Sequence, residues 1–114
     1  MEQYKQELSD KLANCIAACN NCYDECFKEE EHLQHMIGCI RTDRECADIC
    51  AFTLSFISRE SGMTNDIIEL CAIACAACAA ECEKHPDMEH CQACAKAYHE
   101  CEDACRRYLH HATA

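Results

Sequence analysis

The feature that most constrains this chain is a spacing of four cysteines, separated by three, two and three residues, that occurs twice. Two stretches carry it: Cys15, Cys19, Cys22 and Cys26, and Cys71, Cys75, Cys78 and Cys82. On an α-helix, which turns about 100° per residue, such a set falls within about 60° of arc. The spacing therefore predicts two helices that each carry a row of thiols along one face.

Two further stretches carry variants of this thiol row. One contains Cys39, Cys46 and Cys50, and the other contains Cys91, Cys94, Cys101 and Cys105. Asp43 stands where the spacing elsewhere places a cysteine, and Tyr98 lies within the last row, which spans about 80° of arc. A buried carboxylate without a partner is costly, so we expect Asp43 to be paired or hydrated. We interpret all fifteen cysteines as candidate metal ligands.

A few helix-breaking signals separate the rows and set the expected architecture. Gly62 predicts a turn, Thr64 is a candidate N-cap of the third helix, and Pro86 fits a first helical position. We predict helices over residues 4–30, 33–59, 65–84 and 88–111. Four helices with short connections indicate an all-α fold, an antiparallel up-down four-helix bundle with a cysteine-lined core, formed by one domain over residues 1–114.

The composition leaves little ordinary core for such a bundle. Leu, Ile and Phe together contribute 17 of 114 residues, and there is no valine. Metal ligation could therefore supply much of the stability. The net charge of −11 argues against nucleic acid or an anionic membrane surface as a partner, and no apolar run is long enough to span a bilayer.

The cysteines are expected to be reduced thiols rather than disulfides. Their number is odd, and the residues after Met1 lack the apolar stretch of a signal peptide. Cysteines three or four apart on a helix also have nearly parallel Cβ vectors, which fit disulfide geometry badly. We expect a cytoplasmic protein with metal-bound thiolates.

The spacing also bears on the identity of the metal. Six pairs lie four residues apart: Cys15 and Cys19, Cys22 and Cys26, Cys46 and Cys50, Cys71 and Cys75, Cys78 and Cys82, and Cys101 and Cys105. Such pairs suit a soft ion with two or three ligands, which favours several Cu(I) ions per chain. Zinc needs four ligands, so the alternative of a zinc or mixed-metal buffer requires that helices share them. Iron–sulfur clusters usually use loop spacings.

A purely structural role and a catalytic role fit the cysteines less well. Buried cysteines often act as small hydrophobic residues, but fifteen on the predicted inward faces exceed what packing requires. A catalytic thiol normally has a distinctive environment that lowers its pKa, and nothing in the sequence distinguishes one cysteine from the others. We therefore predict a metal store or buffer and not an enzyme.

The two ends of the predicted bundle differ in composition. One end gathers histidine and methionine, and we expect metal to enter there through His35, Met36, His85, Met88 and His90, with His32 nearby. The other end should be an apolar plug formed by Leu8, Leu12, Leu54, Ile57, Ile67, Tyr108 and Leu109. On the second helix, Ile49, Phe52 and Phe56 form another apolar strip, which predicts assembly with further copies; the alternative is that the strip packs against a neighbouring helix of the same chain.

Taken together, the two repeated rows, the stretch from Cys39 to Cys50 and the stretch His90-Cys91-Gln-Ala-Cys94 are similar to those of a known family. The chain resembles the cysteine-rich four-helix-bundle copper-storage proteins in their cytosolic form. The resemblance implies a homotetramer of bundles, each holding many Cu(I) ions, without catalysis, and makes a copper chaperone a candidate partner. The chain departs from the family pattern at Tyr98, where a further cysteine is expected. It also has fewer cysteines than we associate with the cytosolic members of the family.

Overall fold

The computed structural model describes residues 2–59 and 61–112, which form four α-helices and one short 3-10 turn. The elements are α1 (Glu2–Lys28), the 3-10 turn Glu30–His32, α2 (Leu33–Ile57), α3 (Thr64–Cys82) and α4 (Glu89–Ala112). The helix ends lie within two residues of those that the sequence predicts. The all-α bundle is thereby confirmed.

Each helix packs mainly against two neighbours, in the order α1, α2, α3, α4 and back to α1. Ion pairs between α1 and α4 give the direction of these helices, because Lys11 Nζ lies 3.1 Å from Glu100 Oε2 and Arg107 pairs with Glu7. Positions that rise along α1 thus meet positions that fall along α4, so the two helices are antiparallel. The bundle measures 49 × 20 × 18 Å.

The connections differ in detail from the predicted ones. Thr64 is the first residue of α3 rather than its N-cap, and the capping position belongs to Met63, whose backbone N–H donates to Ser61 Oγ. Pro86 lies in the turn before α4, which begins only at Glu89. Helix α3 starts without a side-chain hydrogen bond from its N-cap, and the turns before both helices close through backbone hydrogen bonds.

Every cysteine is buried, as the helical period predicts. Thirteen are fully buried, and Cys78 and Cys94 are 3% and 1% exposed. The remaining core consists of alanines and a few larger side chains, of which Tyr98, Leu8 and Leu12 are the largest that are fully buried. Ile68, rather than Ile67, joins this core. Thiols therefore occupy the positions that Leu and Val fill in an ordinary bundle.

The buried face of α2 ends differently from the prediction. Thr53 is fully buried and its Oγ1 donates to Ile49 O at 2.8 Å, whereas Leu54 is only half-buried. Phe56 is 9% exposed, so it belongs to the core rather than to an exposed strip, and Phe52 remains at the surface. The reason is that inward residues of α2 alternate by three and four, as in a coiled coil, up to the end of the helix.

Among residues 2–59 and 61–112, no helix combines the length and the apolar character needed to cross a membrane.

Candidate metal centre

The thiol rows of the four helices meet along the axis of the bundle. Sulfurs of different helices approach as closely as sulfurs within one helix: Cys39 and Cys82 are 3.4 Å apart and Cys46 and Cys75 are 3.7 Å apart. Within α2, Cys46 and Cys50 are separated by 3.8 Å. The helices therefore share potential ligands, which the spacing along a single helix does not reveal.

The described residues contain five groups whose potential ligand atoms all lie within 4.8 Å of one another. They include thirteen of the fifteen cysteines, together with His90 and Asp43. The groups are Cys22, Cys26, His90 and Cys91; Cys22, Cys39, Asp43 and Cys82; Cys15, Cys19 and Cys46; Cys15, Cys50, Cys75 and Cys101; and Cys71, Cys101 and Cys105.

These groups divide into two sets along the bundle. The first two groups share Cys22 and form the mouth set, which lies where α1 ends and α4 begins. The other three share Cys15 or Cys101 and form the deep set, which lies nearer to Leu12. One group of the deep set takes one cysteine from each of the four helices. No residue belongs to both sets.

Asp43, a member of the mouth set, is joined to Tyr98 by a hydrogen bond. The Tyr98 hydroxyl donates to Asp43 Oδ1 at 2.8 Å and accepts a hydrogen bond from Cys19 Sγ at 3.2 Å. Cys94 Sγ donates to Asp43 Oδ1 at 3.5 Å, and Cys39 Sγ lies 3.9 Å from Oδ2. The expectation that Asp43 is paired is confirmed. Burial, and secondly the charge of Cys39, raise the pKa of this carboxyl to about 7.

Cys78 and Cys94 are the two cysteines outside the five groups. Their thiols donate to helix carbonyls, Cys78 to Thr42 O at 3.3 Å and Cys94 to Ala18 O at 3.6 Å. Such bonds satisfy a buried thiol without a metal. To become metal ligands, these two sulfurs would have to break their hydrogen bonds to the carbonyls. The sequence does not indicate these hydrogen bonds.

Each set contains a thiol that is favoured as a thiolate. Hydrogen bonds from Cys22 and then Cys26 lower the pKa of Cys39 in the mouth set. In the deep set, hydrogen bonds from Cys105 and then Cys15 lower the pKa of Cys101. Because the thiolate is the metal-binding form, a lowered pKa favours metal binding at these two positions.

The five residues predicted for metal entry have different environments. Met36 is fully buried, Met88 packs partly buried against the core, and His35 is exposed. His85 is half-buried, and its Nε2 has no hydrogen-bond partner among the described residues. The five residues predicted for metal entry thus lie at different depths instead of forming one surface cluster.

His90 reaches further into the thiols than the sequence indicates. Its Nδ1 lies 3.5 Å from Cys22 Sγ and 3.6 Å from Cys91 Sγ, and the side chain is 11% exposed. Its Nε2 lies 3.8 Å from Glu29 Oε1. His90 is thus a candidate ligand of the mouth set as well as an entry residue, and its position directly before Cys91 is the sequence signal for this role.

The opposite end is closed by apolar residues, in part those predicted. Leu8, Leu12 and Ile68 are fully buried and Ile57 is 2% exposed. Leu54, Tyr108 and Leu109 are only partly buried and pack against this core. Beyond the deep set, the core at this end therefore consists of an aliphatic layer rather than of potential ligands.

The family model for copper storage proteins matches residues 1–110 of the chain. A cysteine-rich protein of Bacillus subtilis (strain 168), YhjQ, whose function is uncharacterised, is 47% identical over 106 residues, which cover 93% of this chain and 96% of that protein.

Solved structures of two bacterial proteins resemble the fold over most of its length. A cytosolic copper storage protein from Streptomyces lividans, loaded with five coppers, is 37% identical with a TM-score of 0.90, covering 95% of this chain and 93% of that chain. The same protein has been loaded with 10 copper equivalents. The Cu(I)-bound copper storage protein BsCsp3 is 44% identical with a TM-score of 0.84, covering 91% and 96%.

Proposed function

The chain belongs to the copper storage protein family, and on this premise we propose that it stores several Cu(I) ions per chain as thiolate complexes inside the bundle. The observation that carries the proposal is the convergence of thirteen buried cysteines from four helices into groups with ligand atoms within 4.8 Å. The related proteins loaded with five and ten coppers support a capacity of several ions.

Cu(I) suits these groups because it is a soft ion that prefers thiolate sulfur and accepts few ligands. Cys15, Cys22 and Cys101 each belong to two groups at once. A thiolate that bridges two ions allows more ions than separate pairs would. All fifteen cysteines are proposed as ligands, with Cys78 and Cys94 recruited only when loading displaces their bonds to helix carbonyls.

Cu(I) uptake is proposed to run from the mouth set to the deep set. His90 and the buried methionine Met36 would exchange an incoming ion into the neighbouring thiols, and Leu12 and Ile68 would close the far end. Acidic residues on the connections at the mouth end, including Glu29, attract cations to this end.

The chemical proposal is tested by anaerobic titration of the reduced protein with Cu(I), followed by metal analysis. We expect several equivalents to bind before a competing chelator retains the ion. Binding of a single equivalent would refute storage. The same titration of a variant with all cysteines of the deep set replaced by serine should retain the capacity of the mouth set alone.

The direction of entry is tested by stopped-flow transfer from a Cu(I) chelator. Replacing His85 and His90 with alanine should slow the transfer while leaving most of the capacity. The matched control replaces His110 and His111, two histidines near the other end of α4. If the variant of His85 and His90 takes up Cu(I) as fast as the unmodified chain, and the control variant takes it up more slowly, the ion enters from the opposite end.

The wider setting of this function is also part of the proposal. Residues 1–114 are proposed to act as one domain, in the cytoplasm, receiving copper from a chaperone and performing no catalysis. The cytosolic description of the Streptomyces lividans protein supports the compartment.

Assembly with further copies of the chain is proposed from the exposed apolar side chains, and a homotetramer is the assembly that the family resemblance implies. Phe52, Leu70 and Ile73 are each more than half exposed, and contact with other copies would cover them. In sedimentation, Phe52→Glu should reduce the size of the assembly. An unchanged size would remove α2 from the proposed interface.

A further inference from the structure

A different metal chemistry fits one group of the mouth set. The group Cys22, Cys39, Asp43 and Cys82 is, among the five groups in the described chain, the one that contains a carboxylate. Carboxylate oxygen is a poor ligand for Cu(I), whereas zinc takes thiolate, imidazole and carboxylate ligands in tetrahedral sets of four. A core selected only for Cu(I) has no use for an acidic side chain among its sulfurs.

The distances in this group match such a set. Cys39 Sγ lies 3.7 Å from Cys22 Sγ, 3.4 Å from Cys82 Sγ and 3.9 Å from Asp43 Oδ2. With Zn–S bonds of about 2.3 Å and Zn–O bonds of about 2.0 to 2.2 Å, tetrahedral geometry places sulfurs about 3.8 Å apart and oxygen about 3.5 Å from sulfur. These three distances differ from the tetrahedral values by at most about 0.4 Å, and the other three pairs of ligand atoms in the group lie within 4.8 Å.

We propose that Cys22, Cys39, Asp43 and Cys82 form a specific Zn(II) site. All four side chains are fully buried, so the site excludes water. Binding requires the three cysteines and Asp43 to be in their anionic forms, so any protons that these four groups still carry are released to solvent, and the resulting anionic ligands balance and exceed the charge of the ion. The inference uses the bundle of the proposed copper store but does not depend on Cu(I) binding.

Tyr98 acts as a positioning residue for this site. Its hydroxyl donates to Asp43 Oδ1 at 2.8 Å, and Oδ2 is the oxygen that faces Cys39. Carboxylate ligands of metals are commonly held by such a second hydrogen bond, which fixes their orientation. Tyr98 and Asp43 each stand in a row of cysteines, at a position where a further cysteine is expected. The hydroxyl of Tyr98 thus orients the carboxylate of Asp43.

The neighbouring group offers a sharp comparison because it is also able to bind zinc. Cys26, His90 and Cys91 complete a three-cysteine, one-histidine set with the shared Cys22. Cys82 belongs only to the proposed site and Cys26 only to its neighbour, although both are fully buried thiols in the mouth set. Cys82→Ser and Cys26→Ser therefore form a matched pair of variants.

The experiment measures the affinity of the reduced, metal-free protein for Zn(II) under anaerobic conditions, by competition with a chromophoric chelator. We expect Asp43→Asn and Cys82→Ser to weaken the tightest zinc equivalent at least about tenfold, with Tyr98→Phe weakening it by about 10 to 100-fold. Cys26→Ser should leave it unchanged. The Co(II)-substituted protein should show the absorption of a tetrahedral ion with three thiolates.

The proposal is overturned if Cys26→Ser weakens zinc binding as much as Cys82→Ser, if Asp43→Asn has no effect, or if zinc does not bind. Circular dichroism of each variant establishes that it is folded, and Asp43→Asn preserves the shape of the side chain. A separate Cu(I) titration distinguishes the two functions. If the protein binds zinc but not several equivalents of Cu(I), only the proposed copper storage is refuted. If it binds several equivalents of Cu(I) but no zinc, only the proposed zinc site is refuted.

Discussion

Replacing Asp43 with asparagine should remove most of the pH dependence that this carboxyl gives to the stability of the metal-free chain. Burial raises its pKa from an ordinary value of 3.8 to about 7. In the unfolded chain the carboxyl loses its proton near its ordinary pKa, whereas in the folded chain it keeps the proton up to near neutral pH. A pKa difference of this size corresponds to about 4 kcal/mol.

The sign follows from which state binds more protons. Between about pH 4 and about pH 7 the folded state holds the proton that the unfolded state has lost, so the free energy of unfolding falls as the pH rises, by about 3 kcal/mol over this range. Below this window both states are protonated, and the contribution of Asp43 is complete. The side chain of the asparagine variant has no proton to lose, so the stability profile of that variant should lack this fall.

The assay is urea unfolding of the reduced, metal-free protein at several pH values, followed by far-UV circular dichroism. The control is Asp48→Asn, since Asp48 lies on the same helix, is exposed and pairs with Arg44. Its profile should follow that of the unmodified chain. Parallel profiles for Asp43→Asn and the unmodified chain would show that the hydrogen bond from Tyr98 keeps Asp43 ionised in the folded state, which refutes the reasoning.

Two further predictions concern packing. Leu12→Ala should lower the free energy of unfolding of the metal-free chain by about 2 to 5 kcal/mol, because the side chain is fully buried. The control Leu70→Ala, at an exposed position, should change it by less than about 0.5 kcal/mol. Equal losses of stability in urea unfolding would contradict the described core. Gly38→Ala should stabilise α2 by up to about 1 kcal/mol, because the new methyl group meets only the flexible end of Glu81, which can move into solvent. A large loss of stability in the same assay would mean that Glu81 is held in place.

The burial of the thiol rows could be predicted from the sequence because it depends on one helix at a time. A period of 3.6 residues determines which residues share a face, and the four cysteines of α1 share one face with Leu8 and Leu12, which is the buried face. The same reasoning correctly predicted that Asp43 lies among the thiols and is paired. It also located the connections before α3 and α4, since Gly62 and Pro86 are strong local signals.

The contacts between helices could not be predicted in this way. The hydrogen bond from Tyr98 to Asp43 joins residues 55 positions apart, and it depends on how far α4 is shifted along α2. The sulfur contact between Cys39 and Cys82 depends on a similar register. The end of α2 shows the limit within one helix as well, because the choice between Thr53 and Leu54 is decided by the packing of the neighbouring helices.

Because the core consists largely of potential metal ligands, the stability of each molecule depends on how many ions it has bound. With few aliphatic side chains, the empty bundle has a small reserve against local opening, and every ion bound only by the folded state adds to that reserve. Proteases act on opened chains, so empty molecules would be degraded before filled ones. The population in a cell would then adjust its size to the supply of metal by selective turnover, without a separate sensor.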